Sequence, residues 1–115
     1  MLFRSGIGNP DATIFSSSAI NTGVWKHVAV TWKQSTGAMR LYINGVLEGS
    51  GTSGGTANRN APPRITIGMM QTAISFANCS IDEVRIWNKV LCQTEIQNNM
   101  TAELPLPQKI GRAHV

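Results

Sequence analysis

The sequence predicts an all-β fold, an antiparallel sandwich of strands, and three observations carry that reading. Ser, Thr, Asn and Gly together make up about a third of the 115 residues, a mixture that favours turns and strands over helix. Charged residues are only 14% of the chain, against about 25% in a typical soluble domain. β-branched and aromatic residues gather in short runs bounded by Gly, Pro and Asn, as strands between turns do. These features exclude a helical bundle, a coiled coil and a charge-driven disordered tail. An apolar fraction of 42% is enough for a packed core, yet two-sheet sandwiches often run to roughly 200 residues, so the chain is short for one.

The elements follow in order. Residues 11–18 read as a first strand around Ile14 and Phe15, closed by a turn at Asn21, Thr22 and Gly23. Residues 24–33, VWKHVAVTWK, are the longest strand pattern. Trp25, His27, Ala29 and Thr31 share one face and Lys26, Val28, Val30 and Trp32 the other; bulk on both sides predicts a central strand. After a turn at 34–37, AMRLYINGVLEG places Asn44-Gly45 between two apolar runs, the combination that suits a type I′ hairpin turn. Residues 49–63 have no apolar periodicity and predict a long loop, a length that is uncommon unless the loop is mobile or functional. RITIG at 64–68 predicts a short strand, 70–78 a loop or weak strand, and SIDEVRIWN at 80–88 a further strand, covered in part on both faces. One helix is expected in CQTEIQNNM, residues 92–100, with Ile96 and Met100 on one face. Glu95 stands three residues after Cys92, as in a capping box whose Ser or Thr is replaced by a weakly accepting thiol. Pro105 and Pro107 prevent its continuation.

WKHVAVTW (25–32), RLYINGVL (40–47), ITIG (65–68) and IDEVRIWNKVLCQTEI (81–96) occur in this order. The set resembles the laminin G-like, concanavalin A-like jelly-roll domains of secreted and cell-surface proteins, pentraxins included, over residues 24–100. The resemblance implies an antiparallel β-sandwich of jelly-roll type with one short C-terminal helix. Two positions depart from the family pattern: Cys79 where Gly usually precedes the IDEVR strand, and Cys92 where Ser or Thr usually caps the helix. The family's N-terminal strands have no counterpart here, so residues 1–101 are expected to form a partial domain and residues 102–109 a linker toward a following strand or domain. Residues 110–115, IGRAHV, resemble a translated stretch of a common sequencing adapter and are expected to be a non-native tail.

Function is approached first by exclusion. The net charge is +4, but the cations are dispersed and form no run that could follow a phosphate backbone, so no nucleic-acid partner is expected. No apolar stretch approaches the roughly 20 residues needed to span a bilayer, and the first ten residues lack signal-peptide architecture; a secretion signal would lie outside this sequence. Some relatives of this fold are laminarinase-type glycoside hydrolases, whose two carboxylates sit about 5 Å apart or somewhat more. Asp82 and Glu83 are consecutive on the expected strand and point to opposite faces, and no E-x-D-x-x-E run exists. His27 reads as a packed, hydrogen-bonded core residue rather than a base, and Cys79 has no basic neighbourhood to activate its thiol. The segment is therefore expected to be non-catalytic.

Binding chemistry remains. Many members of the resembled family bind calcium, which takes oxygen ligands, and Asp82 is the candidate ligand that carries over. The competing reading has Asp82 accepting backbone N–H groups at the strand entry and Glu83 pairing with Arg85. No zinc-type spacing is present. Cys79 and Cys92 flank a strand of about nine residues spanning roughly 30 Å, too far for the approach of about 7 Å that a disulfide requires. Asn78-Cys79-Ser80 and Asn99-Met100-Thr101 fit the N-glycosylation pattern. Trp25, Trp32 and Trp87 could stack on sugars but are expected in the core. Asn58, Arg59 and Asn60, in the long loop, are the candidate ligand contacts. The expected function is a non-catalytic binding or adhesion module of an extracellular or cell-surface protein, recognising glycan or protein partners through loops. The alternatives are an accessory domain of a secreted glycosidase, sialidase or protease, and a structural spacer in a tandem array.

Overall fold

Asn44 and Gly45 both adopt left-handed backbone angles, with φ of 49° and 77°, the pair of positive values a type I′ turn needs. They join β4 (Ala38–Ile43) to β5 (Val46–Thr52), with Ile43 opposite Val46, as the Asn-Gly pair predicts. The computed structural model describes residues 4–7, 12–53, 66–68 and 76–104. On the other side β4 pairs antiparallel with β3 (Val28–Lys33) through the turn at 34–37. There Gly37 takes φ 72°, and its N–H reaches Lys33 O at 2.8 Å. The sheet order is β3-β4-β5.

A second layer comes from β1 (Arg4–Ile7) and β2 (Ala12–Phe15), an antiparallel ribbon with Arg4 opposite Phe15. The sequence reading begins its first strand at residue 11 and assigns none to residues 1–10; β1 corrects it. β2 lies across β5 and β4, and Ile14 packs into a core with Met39, Leu41 and Ile43, edged by Ile20, Val28 and Trp32. Met39, Leu41 and Ile43 are alternate residues of β4 and so share one face. Full burial of a side chain such as Leu41 contributes about 1.5–3 kcal/mol.

The crossing explains a second correction. Residues 49–52 belong to β5 rather than to a loop. A Cβ on Gly49 would lie 2.5 Å from the Phe15 carbonyl oxygen, and one on Gly51 would lie 2.8 Å from Ile14 Cγ2. Here glycine marks the close approach of another chain segment, not a turn. The remainder of the expected loop, 54–63, lies outside the described residues.

The opposite face of the sheet carries α1 (Gln93–Asn99). Ile96 and Leu91 pack on Tyr42, with Ala29 beside them. Glu95 accepts the Cys92 N–H at 2.9 Å, supplying the strong half of the expected capping box. Gln93 and Gln97 both donate from Nε2 to Gly45 O, at 2.9 and 3.0 Å, so the helix is fastened to the tip of the hairpin. A Cβ at Gly45 would meet Gln97 Cγ at 2.7 Å. Among the described residues no helix is long and apolar enough to cross a membrane.

The expected strand at 80–88 does not form. Residues 81–87 run without ladder pairing, Glu83 adopts φ 54°, and its N–H is taken by Asp82 Oδ1 at 2.8 Å. A β pattern becomes a strand only when a neighbouring edge accepts its backbone groups, and a side-chain partner competes for them here. Residues 66–68 of the expected RITIG strand likewise form no strand, although Gly68 O accepts the Ala77 N–H at 2.7 Å, and 64–65 are not described. As a result β3 ends the described sheet instead of lying centrally, and Val30, Ile81, Val84 and Ile86 are exposed. Of the three tryptophans expected in the core, Trp32 is packed, its Nε1–H donating to Ser53 Oγ at 2.8 Å. Trp25 and Trp87 are 70% and 41% exposed.

Candidate functional site

Turn and helix together position the most distinctive cluster of polar groups. His27 stands just before β3, on the face that carries α1. Its backbone is fixed by Asn44, whose Oδ1 accepts the His27 N–H at 2.9 Å and whose own N–H donates to His27 O at 2.8 Å. The ring lines a cleft of about 260 Å³ with Glu83, Arg85, Met100, Thr101, Ala102 and Glu103.

Arg85 organises this cleft. Nη1 donates to Asn99 O at 2.9 Å and Nη2 to Ala102 O at 2.7 Å, while Nη2 also meets Glu83 Oε2 at 3.2 Å. The helix has no basic residue in its last turn, so Arg85 supplies from elsewhere the cation that a helix C-terminus favours. His27 Nδ1 is buried and, among the described residues, has no hydrogen-bond partner, so the hydrogen-bonded core histidine expected from the sequence is not realised at that nitrogen. Burial, and then the Arg85 charge, hold its pKa below the ordinary 6.5.

Two further carboxylates, Glu48 and Glu95, each have partners of their own. Glu48 sits beside an irregularity in β5, where Leu41 faces Gly49 and Tyr42 faces Leu47, the two-against-one count of a bulge. It accepts from Ser18 N at 3.0 Å and from Ser18 Oγ at 2.7 Å, contacts that lower its pKa. Glu95 pairs with Lys89 at 2.7 Å, which lowers the carboxyl and raises the amine.

Asn58, Arg59 and Asn60 lie outside the described residues. Asp82 is exposed and makes the hydrogen bond to Glu83 N–H described above, while Glu83 pairs with Arg85; both are contacts the sequence offers as the alternative to calcium ligation. Among the described residues no group of three or more His, Cys, Asp or Glu is placed so that it could hold a metal ion. Cys79 and Cys92 are exposed free thiols. Sequence reasoning pairs Arg85 with Glu83 but misses its reach to Asn99 and Ala102. No local pattern announces that contact, because the partners are backbone carbonyls 14 and 17 residues away.

Comparison with known proteins places these observations. The profile Laminin_G_3, described as the concanavalin A-like lectin/glucanases superfamily, matches residues 2–97. The rat protein "Sushi, von Willebrand factor type A, EGF and pentraxin domain-containing protein 1" is 30% identical over 118 aligned residues, covering 93% of this chain and 3% of that protein. The bovine "Adhesion G-protein coupled receptor D1" is 33% identical over 86 residues, 70% of this chain and 9% of the receptor. The chain thus spans less than a tenth of either relative. Among solved structures, an S-layer domain-containing protein (residues 221–444) from Clostridium thermocellum is similar with a TM-score of 0.57 and 29% identity, covering 79% of this chain and 46% of that one.

Proposed function

The chain belongs to the concanavalin A-like lectin/glucanase superfamily, and from that premise we propose that it is a non-catalytic module of adhesion type, at the cell surface or outside the cell, that recognises a glycan or an extracellular protein. The superfamily name covers both binding and hydrolysis, so the choice turns on carboxylates. What supports binding is their separate engagement: Glu48 on Ser18, Glu83 on Arg85 and Glu95 on Lys89. Glycoside hydrolysis requires two carboxyl groups facing one bond. The naming of relatives as an adhesion receptor and as a pentraxin domain-containing protein agrees with a binding role.

Asn58, Arg59 and Asn60 are the residues proposed to contact the ligand, since short amide and guanidinium donors suit hydroxyl-rich or acidic groups. Trp25 and Trp87 add exposed indole faces of the kind that stack on sugar rings. Calcium, held through Asp82, is the proposed accessory ion. A glycan array and an extracellular-protein panel, each read with calcium and with chelator, test the proposal. Binding that is lost in the N58A/R59A/N60A variant supports it, and silence in both conditions removes it.

A further inference from the structure

The C-terminal end of α1 is held by a side chain from outside the helix, and the residue facing that clamp can gain a charge. Arg85, whose side chain is 18% exposed, donates to Asn99 O and Ala102 O, and His27 lines the same cleft with a buried Nδ1 that lacks a partner among the described residues. We propose that His27 is an acid sensor for this clamp: a proton on its ring displaces Arg85 from the Asn99 and Ala102 carbonyls and loosens the last turn of α1 from the sheet.

A neutral imidazole needs one donor and one acceptor partner, whereas an imidazolium presents two donors that each need an acceptor. The buried nitrogen has none, and a second cation stands beside it. The charged groups facing the ring are Arg85 and Glu83 from the 81–87 segment and Glu103 from the chain after α1. The turn between β4 and β5 contributes only the neutral Asn44. Lys26, the preceding residue in the chain, is directed away, its Nζ on Ala19 O at 3.1 Å.

The two carboxylates offset little. Glu83 is 74% exposed and already paired with Arg85, Glu103 is exposed, and solvent screens such charges strongly. The mobile member of the conflict is therefore the arginine. Because burial and Arg85 hold His27 below 6.5 in the fold, the unfolded chain takes up its proton first. The stabilisation is complete above about pH 6.5 and is lost as pH falls from there through the folded-state value.

Hydrogen exchange on the 115-residue chain, as protection factors corrected for intrinsic rates, tests the proposal at the amides of Met100 and Ala102, which bond Ile96 O and Asn99 O. Between pH 7.5 and pH 5 these should lose protection several-fold in the wild type and hold it in His27→Gln, while amides of β4 hold in both. Equal loss in both proteins, or no loss in either, overturns the proposal. If the variant does not fold, NMR titration of the wild type decides. One shared midpoint for His27 ring protons and the Ala102 amide supports the coupling, and separate midpoints overturn it.

Discussion

Replacing Gly49 by alanine distinguishes the strand that the structure shows from the loop that the composition suggests, because the two give effects of opposite sign. In an open loop with compatible backbone, Gly→Ala stabilises by about 0.4–1 kcal/mol, since the unfolded chain loses freedom. In the fold the new Cβ would stand 2.5 Å from the Phe15 carbonyl oxygen and 3.5 Å from Leu41 Cβ. The first contact is with backbone, so β2 has to lift away from β5, and overpacking of this kind costs about 1–3 kcal/mol. The net expectation is a loss of about 1–2 kcal/mol, which lowers the melting temperature of a domain this size by roughly 5–15 °C. Circular dichroism melts and urea titration read it directly. Ser50→Ala, at the exposed neighbouring position, is the control and should stay within about 0.5 kcal/mol. A Gly49→Ala protein that melts at or above the wild-type temperature would refute the crossing of β2 over β5.

Other expectations follow from the same contacts. Leu41→Ala, at a fully buried site, should cost about 2–5 kcal/mol in denaturant unfolding. Gly45→Ala combines φ 77° with a 2.7 Å approach to Gln97 Cγ, so it should loosen α1 as well as the turn, seen as faster amide exchange at Ile96. Arg85→Met removes the guanidinium bonds to the Asn99 and Ala102 carbonyls, leaving Asn99 O only the Ala102 N–H, and should destabilise by about 1–3 kcal/mol in urea titration. Because Ser18 holds Glu48 below its ordinary 4.5, the stability this link contributes is present above pH 4.5 and lost as pH falls through the folded-state value; Glu48→Gln should flatten that part of an acid-unfolding curve.

Legibility in the sequence follows the range of the interactions. The hairpin at Asn44-Gly45, the strand at 28–33 within the expected 24–33, and the helix with its Glu95 cap are fixed by neighbours a few positions apart, and all are present. Residues 49–52 are misread because glycine signals a turn locally, whereas its use here depends on Phe15, more than thirty residues earlier. Residues 80–88 carry a strand's composition, but pairing requires an edge that no local pattern supplies. Their polar groups are taken instead by Asp82 and by the end of α1. The site divides in the same way. Glu83 with Arg85 is a near-neighbour pair and is legible, while the buried, unpartnered state of His27 Nδ1 is not, because it depends on Arg85 and residues 100–103 arriving over the ring.

What the sequence determined by itself is therefore the family, the antiparallel β character, the hairpin register and the helix start, all consequences of backbone preference and side-chain alternation. The tertiary structure decided which glycines lie beneath a crossing strand, which tryptophans are covered, and that one arginine spans the end of the helix beside a half-buried histidine. Those outcomes rest on contacts between segments distant in the chain, and their energies arise only once the layers have packed.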